Sequence, residues 1–596
     1  MGKAGLYQKE GAVMKVLLTT LNSKFIHSSL ALRYLRAYCG DKPWDLALRE
    51  FTINDSIHAV MGEIYKEAPD IVAFSCYIWN ITETLMLARR IRQVMKNTVI
   101  VLGGPEVSYD DRSLMEQHPF IDFVVRGEGE QTFRELMEYL LEGQGKAEDI
   151  HGLTFRSPGG IIQNRPRDLL CDLSRIPFPY NEDTDLGGRI VYYEASRGCP
   201  FACSYCLSST VKGVRFFPVR RVKEDLERLI GMGVKQVKFV DRTFNCNPAF
   251  SREIFSYLVE RGGGTNFHFE ISADLFDDEL IKLLGSAPPG LFQFEVGVQT
   301  TNSEVLKEIR RQTRQQALFR NVREISERGN IHQHLDLIAG LPKEDMASFE
   351  RSFDDVFMLE PDMLQLGFLK LLKGSDIRNR AREYGYVFTA EPPYEVLSSN
   401  WMDYGDIRRL KLVEQVLEYY YNSHGFDNTL RFMLQQFKTG PFGLFKELSE
   451  YWEERGLHLK KHSRRELYAL IYEYCTGYRG APAALVNEHL KLDFLLVERS
   501  PVLPPPLARM DIPSFKQKCF DFLANPENIK AYLPTYDGLS AKQIYKMVHF
   551  EAFDPRISEY VPRLCGTGRK TYITLLFDYN NRDRLRGKAR TIAVDI

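Results

Sequence analysis

Three cysteines, Cys199, Cys203 and Cys206, stand in a Cys-x3-Cys-x2-Cys run. Thiolates are soft ligands, and three in one loop suit a single soft metal centre. A structural zinc ion asks for four ligands, usually as two paired knuckles. The next cysteine is Cys246, and no histidine lies close by. Three thiolates around a four-iron cluster leave one iron without a protein ligand. That iron can hold a second molecule and pass it an electron. The other cysteines, Cys39, Cys76, Cys171, Cys246, Cys475, Cys519 and Cys565, are scattered and read as small buried apolar residues.

The surrounding pattern says what must hold this loop. From about Ile190 to Arg380, strand-like runs alternate with helical periods; the strands fall at 191–195, 236–240, 267–272, 292–296, 333–338 and 363–369. Six such units in series predict a full or partial barrel of parallel strands, with chemistry in the loops at their carboxyl ends. The cysteines follow the first of these strands. An earlier alternation, from Lys15 to about Gly145, has strand-like runs at 16–19, 46–51, 71–75, 99–102 and 123–125. Short apolar strands separated by helices predict a doubly wound parallel sheet, which binds ligands beyond its carboxyl edge. Residues 21–27, 76–80, 103–106 and 126–130 lie at that edge, with glycines that allow close backbone approach.

Residues 150–190 read as a hairpin followed by a proline-containing linker, and the chain turns mostly helical after about Tyr384. The expected class is α/β: a doubly wound Rossmann-like domain over 14–150, a linker over 151–189, a full or partial (β/α)6 TIM-type barrel over 190–384, and a mainly helical domain over 385–596. Residues 1–13 lack periodicity and read as a disordered tail. The 596 residues carry a net charge of −1 and are 44% apolar, which excludes a disordered chain and a generic nucleic-acid binder. No stretch reaches the ~20 apolar residues that span a bilayer. The start lacks a signal pattern, so the expected location is the cytoplasm.

The cysteine run resembles the signature of the radical SAM enzymes. Tyr205 stands before the third cysteine, Arg197-Gly198 before the first, and Pro200-Phe201 after it. The resemblance implies a [4Fe–4S] cluster on Cys199, Cys203 and Cys206 that chelates S-adenosylmethionine (SAM) and cleaves it to a deoxyadenosyl radical. By the same resemblance, SAM would meet Tyr205, then Asp241 and Thr243 with its amino group. Ser272 lies on the third strand, Glu295 and Gln299 are similar to the ribose-contacting strand, and Leu341 belongs to the segment beside adenine.

A doubly wound domain before such a barrel resembles the cobalamin-binding domain of the cobalamin-dependent radical SAM enzymes. It implies cobalamin contacts at Asn22, Ser75, Tyr77, Gly103, Gly104, Pro105, Gly127, Glu128 and Gly129. No Asp-x-His-x-x-Gly motif is present, so cobalamin is expected without a protein imidazole below cobalt. His27 reads as a turn or helix-cap residue, and Tyr77 and Trp79 as core aromatics. Residues 385–596 resemble a domain of unknown function found in some of these proteins. The implied activity is methyl transfer to an unactivated carbon. A non-methylating rearrangement, cyclisation or redox reaction is the first alternative, and a noncatalytic cobalamin or redox sensor the second. The implied partners are an electron donor such as flavodoxin or ferredoxin, and a substrate that is a small metabolite, a lipid or RNA.

Overall fold

The protein is described by a computed structural model over residues 14–181, 186–561 and 571–596. The expected tail and Cys565 lie outside the described residues. The first sheet contains β1 (Lys15–Asn22), β2 (Asp45–Thr52), β3 (Ile71–Ser75), β4 (Val99–Gly103), β5 (Phe123–Val125), β6 (Leu153–Ser157) and β7 (Gly160–Gln163). Its order is β2-β1-β3-β4-β5-β6-β7. The first five strands are parallel. This 2-1-3-4-5 order reverses direction between β1 and β3, where a crevice opens at the carboxyl edge. Helices cover both faces, and two apolar cores result: Leu17, Val72, Phe74, Ile100 and Leu102 on one side, Val16, Leu18, Ile71, Val99 and Val101 on the other.

The hairpin expected at the start of 150–190 is β6–β7, which pairs antiparallel with β5 and closes the edge of the first sheet. Burial of Leu153 and Phe155 against the second of those cores explains why it docks there.

The second sheet holds β8 (Ile190–Tyr193), β11 (Gln236–Phe239), β12 (Asn266–Ile271), β13 (Phe292–Gln299), β14 (His332–Ala339) and β15 (Met363–Phe368), all parallel and paired in chain order. Among the described residues no ladder joins β8 to β15, so the barrel is partial. Between β8 and β11 the chain makes a separate hairpin, β9 (Ser196–Cys199) with β10 (Gly213–Phe216). The three cysteines lie on the lobe that this hairpin closes.

The region after β15 begins with a small hairpin, β16 (Val387–Phe388) and β17 (Val396–Ser398). Helices Tyr404–Leu417, Asp427–Phe437, Pro441–Glu454, Arg464–Glu473 and Ala483–Val497 follow. They share one core with the second sheet. Phe353 on helix Met346–Phe357 meets Phe442 and Phe445 with ring centroids 5.4 and 5.9 Å apart. The chain ends in an antiparallel sheet of β18 (Val548–Phe553), β19 (Ile573–Arg582) and β20 (Ala589–Val594), an addition to the mainly helical expectation. Among the described residues no helix is long and apolar enough to cross a membrane.

Candidate active site

The two parallel sheets turn toward each other across one cavity of about 820 Å³. All nine residues expected around cobalamin line it. Asn22, Ser75, Gly103 and Gly127 come from the ends of β1, β3, β4 and β5, so the chain order of the sheet places them side by side. Gly104 has φ +112°, and a Cβ there would meet the Cys76 carbonyl oxygen at 2.5 Å; only glycine lets this backbone fold onto the neighbouring loop. Gly127, at φ +72°, faces open space. Gly129 begins helix Gly129–Glu142, whose free N–H groups favour an anion at the cavity wall.

Several of the nine have side chains already engaged, Tyr77 with Ser75 among them. The Asn22 amide donates to the His27 carbonyl and to Glu50. The Glu128 carboxylate accepts from Arg215 and from the Leu170 N–H, which ties the first domain to β10. Arg197 strengthens the same junction through Glu130 at 2.5 Å and Glu194 at 2.9 Å. Tyr77, expected at the cobalamin, and Trp79 stack on each other at 4.4 Å along the cavity wall rather than packing in the core. His27 Nδ1 lies 2.7 Å from the Tyr192 hydroxyl, across the domain junction rather than at a helix cap. Burial, helped by Lys24 and Lys238, lowers its pKa, so the ring stays neutral.

The cysteine lobe borders the cavity through Gly198 and Ser208. Gly198, at φ +100°, lets β9 lie close on β10; a Cβ there would meet the Gly213 carbonyl at 2.1 Å. Cys203 is 5% exposed. Burial pushes its thiol up, while the Arg311 guanidinium pulls it down and Cys206 and Cys199 raise it further. The three thiols act on one another beside the Arg311 guanidinium, a donor set that suits a soft metal centre.

The residues expected around SAM fall into two groups. Tyr205 and Thr243 lie at the cysteines: Thr243 Oγ1 is 3.7 Å from Cys199 Sγ, and Tyr205 borders Cys203 and Arg311. Gln299 ends β13 at φ +73° beside a β-bulge. Its Oε1 is buried and without a hydrogen-bond partner, an acceptor that suits a ligand hydroxyl. The other four have different local roles. Asp241 accepts from the Ala195 N–H at 3.0 Å and Ser196 Oγ at 2.5 Å, holding the turn between β8 and β9. Ser272 Oγ donates to Asp274, and the Leu341 side chain is buried in the core. Glu295 sits in mid-strand, 3.0 Å from Lys238 and 3.1 Å from His268, below the carboxyl edge. Burial opposes its charge, but His268 and Lys238 together hold it well below the usual carboxylate range.

Sequence reasoning missed Arg311 and Arg242. Arg311 donates to the Gly297 carbonyl and lies 4.0 Å from Cys203 Sγ. Burial opposes its charge, and Tyr205 and Cys203 more than restore it. Arg242, next to Asp241, projects into the cavity near Glu270. A basic residue among strand-end acids was the available signal. Of the scattered cysteines, Cys39, Cys76, Cys475 and Cys519 are buried as expected, Cys246 is half-buried and Cys171 is exposed. Cys171 lies in the surface connector after β7, where no strand or helix draws it inward.

Comparison with known proteins agrees with this arrangement. Residues 16–137 match the B12 binding domain, 193–356 the radical SAM superfamily, and 382–575 a protein family of unknown function, DUF4080. An uncharacterized methyltransferase of Pyrococcus horikoshii is 26% identical over 455 residues, covering 74% of this chain and 93% of the relative. The cobalamin-dependent radical SAM methyltransferase TokK of Streptomyces tokunonensis is 29% identical, over 47% of this chain and 44% of its own length. The chain thus spans less than half of TokK. The fold also matches the structure of TsrM from Kitasatospora setae, a radical SAM methyltransferase solved with cobalamin and a [4Fe–4S] cluster bound. Its TM-score is 0.53 at 19% identity, over 64% of this chain and 76% of that one. Cobalamin, SAM and a [4Fe–4S] cluster are the cofactors that these two domains take.

Proposed function

We propose that this cobalamin-dependent radical SAM enzyme transfers a methyl group to an unactivated carbon of its substrate. The observation that carries the reading is the single cavity that joins the glycine-lined edge of the first sheet to the open face of the second. Bound there, cobalamin would supply the methyl group, and SAM reduced at the cluster would supply the radical that opens a C–H bond. Cys199, Cys203 and Cys206 would hold the cluster, with Arg311 offsetting the charge of the thiolates. The free Oε1 of Gln299 would accept a ribose hydroxyl. Gly104 and Gly127 would admit the corrin edge, and the start of helix Gly129–Glu142 would face its phosphate tail. The stacked Tyr77–Trp79 pair offers a flat platform without a strong cobalt ligand, and His27 is engaged by Tyr192. Both support cobalamin without a protein imidazole.

Walls from both domains would shield a radical formed there from side reactions. The reading requires a one-electron donor of flavodoxin or ferredoxin type and places the enzyme in the cytoplasm, where thiols stay reduced. The test is anaerobic reconstitution with iron, sulfide and cobalamin, then dithionite and methyl-deuterated SAM. Deoxyadenosine together with S-adenosylhomocysteine and methylcobalamin is the expected result. Deoxyadenosine without the methyl products would replace methyl transfer by a non-methylating radical reaction.

A further inference from the structure

The charged groups on the cavity wall pair off, with two exceptions. Arg197 bonds Glu194 and Glu130, Arg215 bonds Glu128, and Lys238 bonds Glu295. Arg242 and Glu270 line the same cavity, yet among the described residues neither side chain has a hydrogen bond or an ion pair within 4 Å. They stand on neighbouring strands, Arg242 just beyond β11 and Glu270 near the end of β12. Each is within electrostatic range of the other. Arg242 also feels the Cys206 and Cys199 thiols and Tyr77, so it lies between the cluster lobe and the cobalamin wall. A substrate that must face both would sit there. The Arg242 side chain is open to the cavity and Glu270 is half-buried. Beyond their mutual attraction at longer range no side chain among the described residues hydrogen-bonds either, so a ligand group that meets both gains two charged contacts.

We propose that Arg242 and Glu270 form a substrate-recognition pair for a polar small molecule that carries a carboxylate or phosphate beside a hydroxyl or amine. The guanidinium fork takes the anion, and the Glu270 carboxylate accepts from the adjacent donor. A wholly apolar lipid leaves both charges unmet and is excluded as the substrate. The inference rests on the methyl-transfer reading, because that reading places the substrate in this cavity. The carboxylate of SAM is the other source of an anion, and the experiment separates the two.

The test is calorimetric titration of the protein, reconstituted with cluster and hydroxocobalamin, using glycolate as probe. Ethylene glycol and acetate serve as controls lacking the anion and the hydroxyl. Each titration is repeated with saturating S-adenosylhomocysteine. Glycolate is expected to bind in the presence of S-adenosylhomocysteine, and ethylene glycol is not. Arg242→Met should weaken glycolate by roughly tenfold or more, as for loss of a charged hydrogen bond. Glu270→Gln should weaken glycolate several-fold, by roughly the factor expected for loss of one hydrogen bond to a charged group, and leave acetate unchanged. Cobalamin content checks each variant's fold, and Arg242→Lys replaces the methionine variant if that content falls. Displacement of glycolate by S-adenosylhomocysteine would overturn the proposal and assign Arg242 to the SAM carboxylate. Equal binding by wild type and variants, or none by wild type, would also overturn it. Deoxyadenosine and S-adenosylhomocysteine formed by the same wild-type sample test the methyl-transfer reading separately. Their formation without a glycolate site sinks the pair alone, and a glycolate site without them sinks the reading.

Discussion

The two parallel sheets are built on different patterns. In the first, β3 and most of β4 are buried on both faces, and ligand contacts are left to the loops at the carboxyl edge. In the second, burial alternates. Val237, Phe239, Phe267, Phe269, Phe292 and Phe294 turn outward into the helices. Lys238, His268, Glu270, Glu295, His334 and Asp336 share the inward face. A sheet covered by helices on both sides can do chemistry only at its edge. A sheet covered on one side has a whole face to give, and here that face is ionic. The contrast explains why the cavity wall of the first sheet is made of glycines and backbone, and the opposite wall of charged side chains.

The largest test of this division is Cys203→Ala. It should reduce deoxyadenosine formation to background while cobalamin, which the proposed reading assigns to the other sheet's edge, is retained. Loss of both cofactors together would show that the two walls form as one unit. Next in size is a pair one residue apart on β12. Phe269→Ala, on the outward face, should cost about 3–5 kcal/mol in denaturant unfolding, whereas Glu270→Gln should change stability by less than about 1 kcal/mol at about pH 4, where Glu270 is protonated. Equal losses would break the outward–inward distinction.

Within the first sheet the glycines should divide too. Gly104→Ala places a methyl group against the Cys76 backbone in a left-handed conformation and should cost more than about 2 kcal/mol, with loss of cobalamin absorbance. Gly127→Ala has open space and should cost only the ~1–2 kcal/mol of the left-handed backbone. The remaining expectation is in pH dependence. Burial pushes Glu270 up to about 7, opposed by Arg242. An acid whose pKa is raised by folding stabilises most below its unfolded value and loses that contribution as pH rises through its folded one. Without ligand, the wild type should therefore lose stability relative to Glu270→Gln between about pH 4.5 and 7, read from denaturant midpoints. A flat difference would show that Glu270 is already met by a partner.

The sequence by itself determined the cysteine lobe, both alternating regions and the glycines at the first sheet's edge. These are local signals: a spacing of three and two residues, strand and helix periods, and turn residues, each readable within a few positions. The nine residues expected around cobalamin all line one cavity because they lie at or just beyond strand ends, and parallel topology brings strand ends together. Only the tertiary structure decided which polar residues remain free. Asp241 and Thr243 look equivalent in the sequence, yet Asp241 is occupied by Ala195 and Ser196 while Thr243 lies at Cys199. Glu295 and Gln299 share a strand, but Glu295 is two residues deeper in the inward row and is met by Lys238 and His268 from other strands. Arg242 and Glu270 stand out only once every other charge on the wall has found a partner. Pairing of that kind depends on side chains dozens of residues apart in the chain, and no local pattern encodes it.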